Sequence, residues 1–437
     1  MALVPPDSRA GITTDKAWEI LFEKHDIVSK VLADGCFRIK ASEINTVKEA
    51  RLMAKFDQST QLPSVFQSNN VSILPISRGE YIIGPFETHK KIAYPNCRPA
   101  PVTIPNLETI DHANLYSEAS ALLFAYNSGI IKDVVNTAGE IYYTVSGRMS
   151  SGRFDYVINR KNSETKTQRI AVENSQIEID AGYEFAGGFC IVEAKNIAVE
   201  EILIRQLYYP YRLWKSKISK PVLPALMVFS NDVFHFFQYR FEDVSQYNSL
   251  TLVSYQAYTF ASEPISLDEI IEIWKSIKIC AESPVPFPQA DSFARVIDLL
   301  SILFERGLTR EEVTVKYEFD PRQTNYYISA CDYLGLIKRI SAVNGERTYQ
   351  LSAEARHILS LRYKQKNLSL VRKILERPVF HKIFGYIVKN SSVPSKGIVC
   401  DVMSKSALPI NATTVGRRSS TVLSWIDWIL RLTHDEL

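Results

Sequence analysis

Residues 189–195 read FCIVEAK. The four apolar residues that open this stretch, two of them β-branched, predict a buried β-strand. Because side chains alternate along a strand, Glu193 and Lys195 are expected to share one face. A carboxylate and an ammonium group therefore project together from this strand.

A second strand is predicted just upstream, at residues 176–180, where QIEID alternates polar and apolar residues. The break at Ala181 and Gly182 predicts that this strand ends on Asp180. The loop at residues 184–188 contains two glycines and would let the chain return as a neighbouring strand, which places Asp180 beside Glu193. Hard oxygen ligands with open water positions favour magnesium at such a pair. An ordinary strand carrying an E-x-K pair is the alternative.

Composition limits the class of protein. The 437 residues are 46% hydrophobic and carry a net charge of +3, which predicts about two to four globular domains. The chain has no apolar run of about eighteen residues and no signal-peptide pattern, so we expect a cytoplasmic protein without a membrane span. The six cysteines form no C-x-x-C pair and the histidines no H-E-x-x-H. Both facts argue against zinc modules and a disulfide framework.

The order of predicted elements favours a mixed α/β core. Helices are predicted over residues 15–32, 114–126 and 200–211, a strand or short helix over 49–57, and strands over 71–84 (two, about a turn at Arg78 and Gly79), 141–145, 154–158, 224–230 and 233–241. Residues 161–166 are polar and predict an exposed hairpin tip.

The C-terminal part is separated by residues 283–288, which hold three prolines and predict the main domain boundary. Truncation before Pro284 is expected to leave a folded core. Helices over residues 293–304 and 310–317 and from Asp320 to Gly335 precede strands at 336–340 and 348–351, around an Asn344-Gly345 turn. This order is typical of a winged helix-turn-helix. Residues 380–388, 395–404 and 413–432 predict a degenerate second copy.

Four regions follow from this reading. They are an N-terminal α+β region and candidate DNA-recognition region at 1–110, an α/β core at 111–282, a winged helix at 283–360 and a helical region at 361–437. Basic residues cluster from Ser292 onward, through Arg417 and Arg418. Such clustering is typical of a nucleic-acid-binding surface, although an ordinary solvated surface remains the alternative.

The spacing of the acidic pair carries a resemblance. Asp180, twelve intervening residues and Glu193-Ala194-Lys195 resemble the PD-(D/E)xK nuclease signature. The segments RQLYYPYR at 205–212, MAKFD at 53–57 and LPISRGEY at 74–81 are similar to segments of one group of type II restriction endonucleases. The resemblance covers residues 49–241, and it departs from the signature's name at Ile179, where proline would stand.

The resemblance implies a mixed α/β PD-(D/E)xK nuclease core with a mainly α C-terminal winged-helix region. The implied activity is magnesium-dependent, sequence-specific hydrolysis of double-stranded DNA. Asp180 and Glu193 are implied to bind Mg²⁺ with the Ala194 carbonyl as a third ligand, and Lys195 to hold or deprotonate the attacking water. A homodimer fits cleavage of two strands with one site per chain, and a cognate DNA methyltransferase is implied by the family.

Further candidates lie around this set. Glu178 shares a strand face with Asp180 and is a candidate auxiliary ligand, with a solvated strand residue as the alternative. Gln206, Tyr211 and Arg212 are candidates to touch phosphate or orient the site, with aromatic packing as the alternative. A competing acidic ligand is Asp155, on an earlier strand.

The winged helix supplies candidate DNA contacts. A reading helix in the major groove would begin with Arg322, Gln323, Asn325 and Tyr326, and the hairpin would contact backbone through Lys338, Arg339 and Arg347. Winged helices also serve as protein-interaction modules. Two other functions remain open at this point: a DNA-binding regulator with a non-catalytic nuclease-like core, and a repair or mobile-element nuclease.

Overall fold

The computed structural model describes residues 12–433, except residues 96, 113, 114, 116, 162–165, 261, 262, 318–320, 342–346, 407 and 409–411. Within these residues, no helix combines the length and the apolar character needed to cross a membrane.

The N-terminal region packs short helices on a small antiparallel sheet of order β1-β3-β2. Its elements are α1 (Thr14–His25), α2 (Ile27–Asp34), β1 (Phe37–Lys40), α3 (Ala41–Ile44), α4 (Ala50–Met53), a 3-10 helix (Ser59–Gln61), α5 (Ser64–Ser68), β2 (Ser72–Pro75) and β3 (Glu80–Gly84). The single helix expected over residues 15–32 is divided, because Asp26 adopts the left-handed conformation with φ 48°. The two strands expected over 71–84 are confirmed as β2 and β3.

The central region is built on a seven-stranded sheet of order β5-β14-β13-β12-β10-β9-β6. Its elements are β4 (His89–Lys91), β5 (Ala100–Pro101), α6 (Glu118–Asn127), α7 (Ile130–Val134), β6 (Ile141–Ser150), β7 (Arg153–Asn159), β8 (Thr167–Glu173), β9 (Gln176–Phe185), β10 (Gly188–Lys195), β11 (Glu201–Leu203), α8 (Ile204–Lys217), β12 (Val222–Ser230), β13 (Val233–Phe241) and β14 (Leu250–Thr259). Most neighbouring strands are antiparallel, whereas β10 with β12 and β14 with β5 are parallel.

Strand β10 is buried along its whole length, as predicted. Cys190, Val192 and Ala194 face the cluster that includes α6 and α7, whereas Phe189 and Ile191 face the cluster that includes α8. Helix α8 connects β10 to its parallel neighbour β12, because parallel strands need a crossover. The prediction of a helix over residues 200–211 was right in kind, although it starts at Ile204 and continues past Pro210.

The prediction that the first strand ends on Asp180 was wrong. Strand β9 continues to Phe185 and joins β10 through a two-residue turn. Gly182 does not break the strand. A Cβ there would lie 2.7 Å from Phe189 Cζ, so this glycine makes room for an aromatic ring across the hairpin.

The C-terminal region is mainly helical. Its elements are α9 (Leu267–Ser276), α10 (Phe293–Ile302), β15 (Leu308–Thr309), α11 (Arg310–Lys316), α12 (Pro321–Tyr333), β16 (Ile337–Ser341), β17 (Arg347–Leu351), α13 (Ala353–Leu359), α14 (Tyr363–Leu375), α15 (Pro378–Asn390), α16 (Lys396–Ser404) and α17 (Ala412–Arg431). Strands β15, β17 and β16 form an antiparallel sheet. Asp320 and the Asn344-Gly345 turn lie outside the described residues, as does most of the expected hairpin tip at 161–166.

The central and C-terminal regions share one hydrophobic cluster. Phe287, inside the proline-containing segment, is 2% exposed and stacks on Phe380 with ring centroids 5.8 Å apart. Trp274 of α9 donates a hydrogen bond to the His381 carbonyl of α15 at 3.0 Å. The proline-containing segment, where the main domain boundary was predicted, is therefore packed against the C-terminal helices.

Candidate active site

The β9-β10 hairpin sets the position of the first acidic residue. Val192 lies opposite Ala181 in the antiparallel register, so the next residues along the strands, Glu193 and Asp180, approach each other. The Asp180 carboxylate accepts a hydrogen bond from the Ala194 backbone N–H at 2.7 Å. A side chain from one strand is thus fixed to the backbone of the next.

Glu193 lies between a helix and a lysine. Its carboxylate accepts a hydrogen bond from Gln206 Nε2 of α8 at 2.6 Å, and Lys195 Nζ lies 3.2 Å from Glu193 Oε1. Both charged side chains are buried. The predicted shared face of Glu193 and Lys195 is therefore present, and α8 covers it.

Burial makes these carboxylates hard to ionise. It raises the pKa of Glu193 well above its ordinary value, and the neighbouring Asp180 charge raises it further. Burial also raises the pKa of Asp180, although the Ala194 N–H and Lys195 act in the opposite direction. Two such carboxylates side by side make a site in which a cation would relieve unfavourable charge.

The donor set suits magnesium. Glu178, Glu193 and Gln206 line a small cleft, and the buried Gln206 Oε1 accepts no hydrogen bond within the described residues. The described residues hold no group of three or more His, Cys, Asp or Glu side chains arranged to bind a metal. Two carboxylates are nevertheless enough for Mg²⁺, which keeps several waters and commonly takes substrate phosphate oxygens as ligands.

The other candidates near the core make different contacts. Glu178 is exposed and lies 3.3 Å from Arg148 Nε across the β6-β9 pair. Tyr211 is buried against Phe241, with ring centroids 4.9 Å apart. Arg212 donates hydrogen bonds to the carbonyls of Asp155 and Val244 at 2.8 and 2.9 Å.

Asp155 lies in the separate β7-β8 hairpin. Its carboxylate accepts a hydrogen bond from Arg169 at 2.6 Å, and half of its side chain is exposed. The carboxylate that lies against β10 is that of Asp180.

The candidate DNA contacts of the C-terminal region lie on α12 and the β16-β17 pair. Arg322, Asn325, Lys338 and Arg347 are exposed, and Gln323 is half-buried. Arg339 forms an ion pair with Asp332, since its guanidinium lies 2.7 Å from Asp332 Oδ2.

Two further acidic residues were missed by the sequence analysis. Asp57 lies after α4, and its Oδ2 is 3.8 Å from Lys195 Nζ. The charge of Glu118, at the start of α6, also raises the pKa of Glu193. Neither residue has a strand or motif spacing that links it to residues 180–195. The signal for Asp57 was its place in the MAKFD segment.

Three family models match the chain, and each is described only as a domain of unknown function. They are DUF6996 over residues 15–83, DUF6997 over residues 84–259 and DUF7226 over residues 295–434. Searches of the curated proteins and of the solved structures found no match. The β9-β10 hairpin and α8 lie within the second match, whereas Asp57 lies within the first.

Proposed function

We propose that this chain is a type II restriction endonuclease, a magnesium-dependent enzyme that hydrolyses double-stranded DNA at a short specific sequence. The observation that carries the proposal is the hydrogen bond from Ala194 N–H to Asp180. It gathers Asp180, Glu193 and Lys195 at one end of a hairpin, in the chain order of the PD-(D/E)xK signature. The mixed sheet, with α8 crossing between parallel β10 and β12, agrees with the core that this signature implies.

The residues have distinct roles in this proposal. Asp180, Glu193 and the Ala194 carbonyl hold the cation, and Gln206 fixes the orientation of Glu193 by its hydrogen bond. Bound magnesium would activate a water and offset the negative charge that develops on the phosphate. The Lys195 ammonium group lies beside this carboxylate, where it holds the attacking water and opposes charge on the phosphate oxygens.

The C-terminal region supports DNA binding. The element order α10, β15, α11, α12, β16, β17 agrees with a winged helix-turn-helix, in which α12 would enter the major groove. The exposed side chains of Arg322 and Asn325 lie near the start of α12. Cutting both strands would bring two copies together on the DNA.

Digestion of plasmid and phage DNA tests the proposal. The full-length chain with Mg²⁺ is expected to yield discrete fragments, and EDTA is expected to abolish cleavage. Glu193→Gln is expected to lower turnover by about 10²-fold or more, because a neutral amide holds a cation poorly. Asp155→Asn serves as the matched control, since it removes a surface carboxylate paired with Arg169, and it should cut like the wild type.

Each contrary outcome has a distinct meaning. A smear with Mg²⁺ would replace site-specific cleavage with a repair or mobile-element nuclease. DNA binding without cleavage at any divalent cation would instead favour a regulator. Full activity of Glu193→Gln would remove Glu193 from the site.

A further inference from the structure

The segment that carries Asp57 is attached to the central region. Gln58 Nε2 donates a hydrogen bond to the Glu201 carbonyl at 3.1 Å, and the Ser59 N–H donates to the Glu201 carboxylate. Glu201 begins β11, directly before the helix that carries Gln206. The N-terminal region is therefore fixed to the core at the short strand that leads into the helix covering the candidate site.

This attachment brings Asp57 to the candidate catalytic lysine. The Asp57 side chain is 6% exposed and that of Lys195 is 7% exposed, with 3.8 Å between Oδ2 and Nζ. The same ammonium lies 3.2 Å from Glu193 Oε1. Carboxylates from two regions of the chain thus approach one buried ammonium.

A buried ammonium needs this kind of support. Taking a charge out of water is costly unless partners compensate for it, and lysine has a flexible four-carbon stem that no single contact holds in place. Glu193 is also a proposed cation ligand, so its carboxylate is shared between two positive charges. A second carboxylate beside Lys195 would keep its ammonium in position when a bound cation attracts the Glu193 carboxylate.

We propose that Asp57 is a positioning residue that holds Lys195 in the catalytic arrangement, so that the N-terminal region completes the active site. The proposal rests on the proposed function for its catalytic consequence. The contact itself, between Asp57 and Lys195, is independent of that function.

The first measurement is chemical labelling, which does not require activity. Full-length wild type and Asp57→Asn are treated with acetic anhydride, and the modified lysines are quantified by mass spectrometry. Labelling of Lys195 is expected to rise by about tenfold in the variant, because its ammonium has lost a buried partner. Lys366, which is equally buried and paired with Asp232, reports on folding and should stay protected.

The second measurement separates positioning from cation binding. Asp57→Asn is expected to lower kcat by about 10²-fold, because a displacement of about 1 Å at a catalytic group has that effect. KM for DNA and the affinity for Mn²⁺ should stay within about threefold, a change of less than about 0.7 kcal/mol. Asp57→Glu is expected to recover part of kcat. Asp34→Asn, an exposed carboxylate of the same region, is the matched control and should behave like the wild type.

The outcomes distinguish the two proposals. If the wild type does not cut DNA but Lys195 labelling still rises in Asp57→Asn, the proposed function fails and the contact stands. Unchanged labelling together with unchanged kcat would overturn the positioning role. So would a loss of Mn²⁺ affinity equal to the loss of kcat, because Asp57 would then be a cation ligand.

Discussion

Asp298 is a buried carboxyl group that joins the central and C-terminal regions. It lies on α10, and it accepts hydrogen bonds from the Ser230 hydroxyl at 2.9 and 3.0 Å and from the Ala198 N–H at 2.9 Å. Burial raises the pKa of Asp298 from 3.8 to about 7, although these donors and Arg295 favour the charged form. The protonated form is therefore the one that the fold prefers.

This raised pKa predicts a loss of stability with rising pH. Between about pH 4 and pH 7 the folded carboxyl keeps a proton that the unfolded one releases. The stabilisation that comes from the protonated Asp298 is thus fully present below pH 4. Above that pH the free energy of unfolding falls by about 1.4 kcal/mol per pH unit until the folded group ionises. Asp298→Asn should lack this part of the pH dependence. Denaturant unfolding at about pH 5 and pH 8 measures it, and identical profiles would contradict the prediction.

At the same scale, the sequence correctly predicted the pairing of Asp180 with Glu193 and the shared face of Glu193 and Lys195. Both depend on strand alternation and a short turn, which act over few residues. The approach of Asp57 to Lys195 was out of reach, because it depends on how the segment after α4 docks on Glu201. The MAKFD segment singles out Asp57 in the sequence, but it does not encode that docking.

The β9-β10 hairpin has little room for a side chain at Gly182. A Cβ there would meet Phe189 Cζ at 2.7 Å and Val145 Cβ at 3.0 Å. Gly182→Ala is expected to lower the free energy of unfolding by about 1–3 kcal/mol, since a packed core resists an added methyl group. Gly79→Ala is the control, because no heavy atom beyond its chain neighbours lies within 4 Å of its added Cβ. Equal stability of the two variants would show that the hairpin relaxes freely.

Strands β16 and β17 carry the proposed backbone contacts to DNA. Replacing Lys338 and Arg347 by Ala should weaken binding to every sequence and lower the salt slope by about one per lost phosphate contact. Arg339→Ala should have a smaller effect, because Asp332 already neutralises part of its charge. Anisotropy titrations across salt measure this. An unchanged slope for Lys338 and Arg347 would show that these strands do not contact DNA. Lys405→Ala, directly after α16, is the control.

Helix α12 is proposed to contact base edges rather than the DNA backbone, so its substitutions should weaken binding to some sequences more than to others. Substitution of Arg322, Gln323 or Asn325 should cost about 1–3 kcal/mol on the cognate duplex and less on a scrambled one, if the side chain makes a bidentate base contact. The same titrations with both duplexes test this. Equal losses on the two duplexes would assign α12 to backbone contacts, and base reading would then lie elsewhere in the chain.

The elements were predicted well where apolar periodicity was strong, as for β13 and α15, and less well where tertiary contacts decide. Strand β9 continues through Gly182 because the Phe189 ring fills the space that a side chain there would occupy. Helix α8 continues past Pro210 because its apolar face is buried on the sheet. In both cases packing overrode a local breaker residue.

The hydrophobic cluster shared by the central and C-terminal regions predicts that a chain truncated before Pro284 will not fold on its own. A chain that ends at residue 282 would lose the helices against which α9 and Trp274 pack. We expect residues 1–282 to aggregate alone and to be recovered as a complex when residues 283–437 are co-expressed. Size-exclusion chromatography tests this. A monodisperse, cooperatively unfolding 1–282 fragment would instead support the domain boundary predicted from the sequence at the proline segment.

The contacts between α10 and the central region limit where segments could be exchanged between this chain and a related one. Asp298 and Arg295 bind the backbone of Ala198, three residues after Lys195. A recombination point placed in the proline segment would therefore separate β10, the proposed catalytic strand, from the helix that anchors the chain just after it. A working chimera would need its junction after α10, so that this helix travels with the core and only the parts beyond it are replaced.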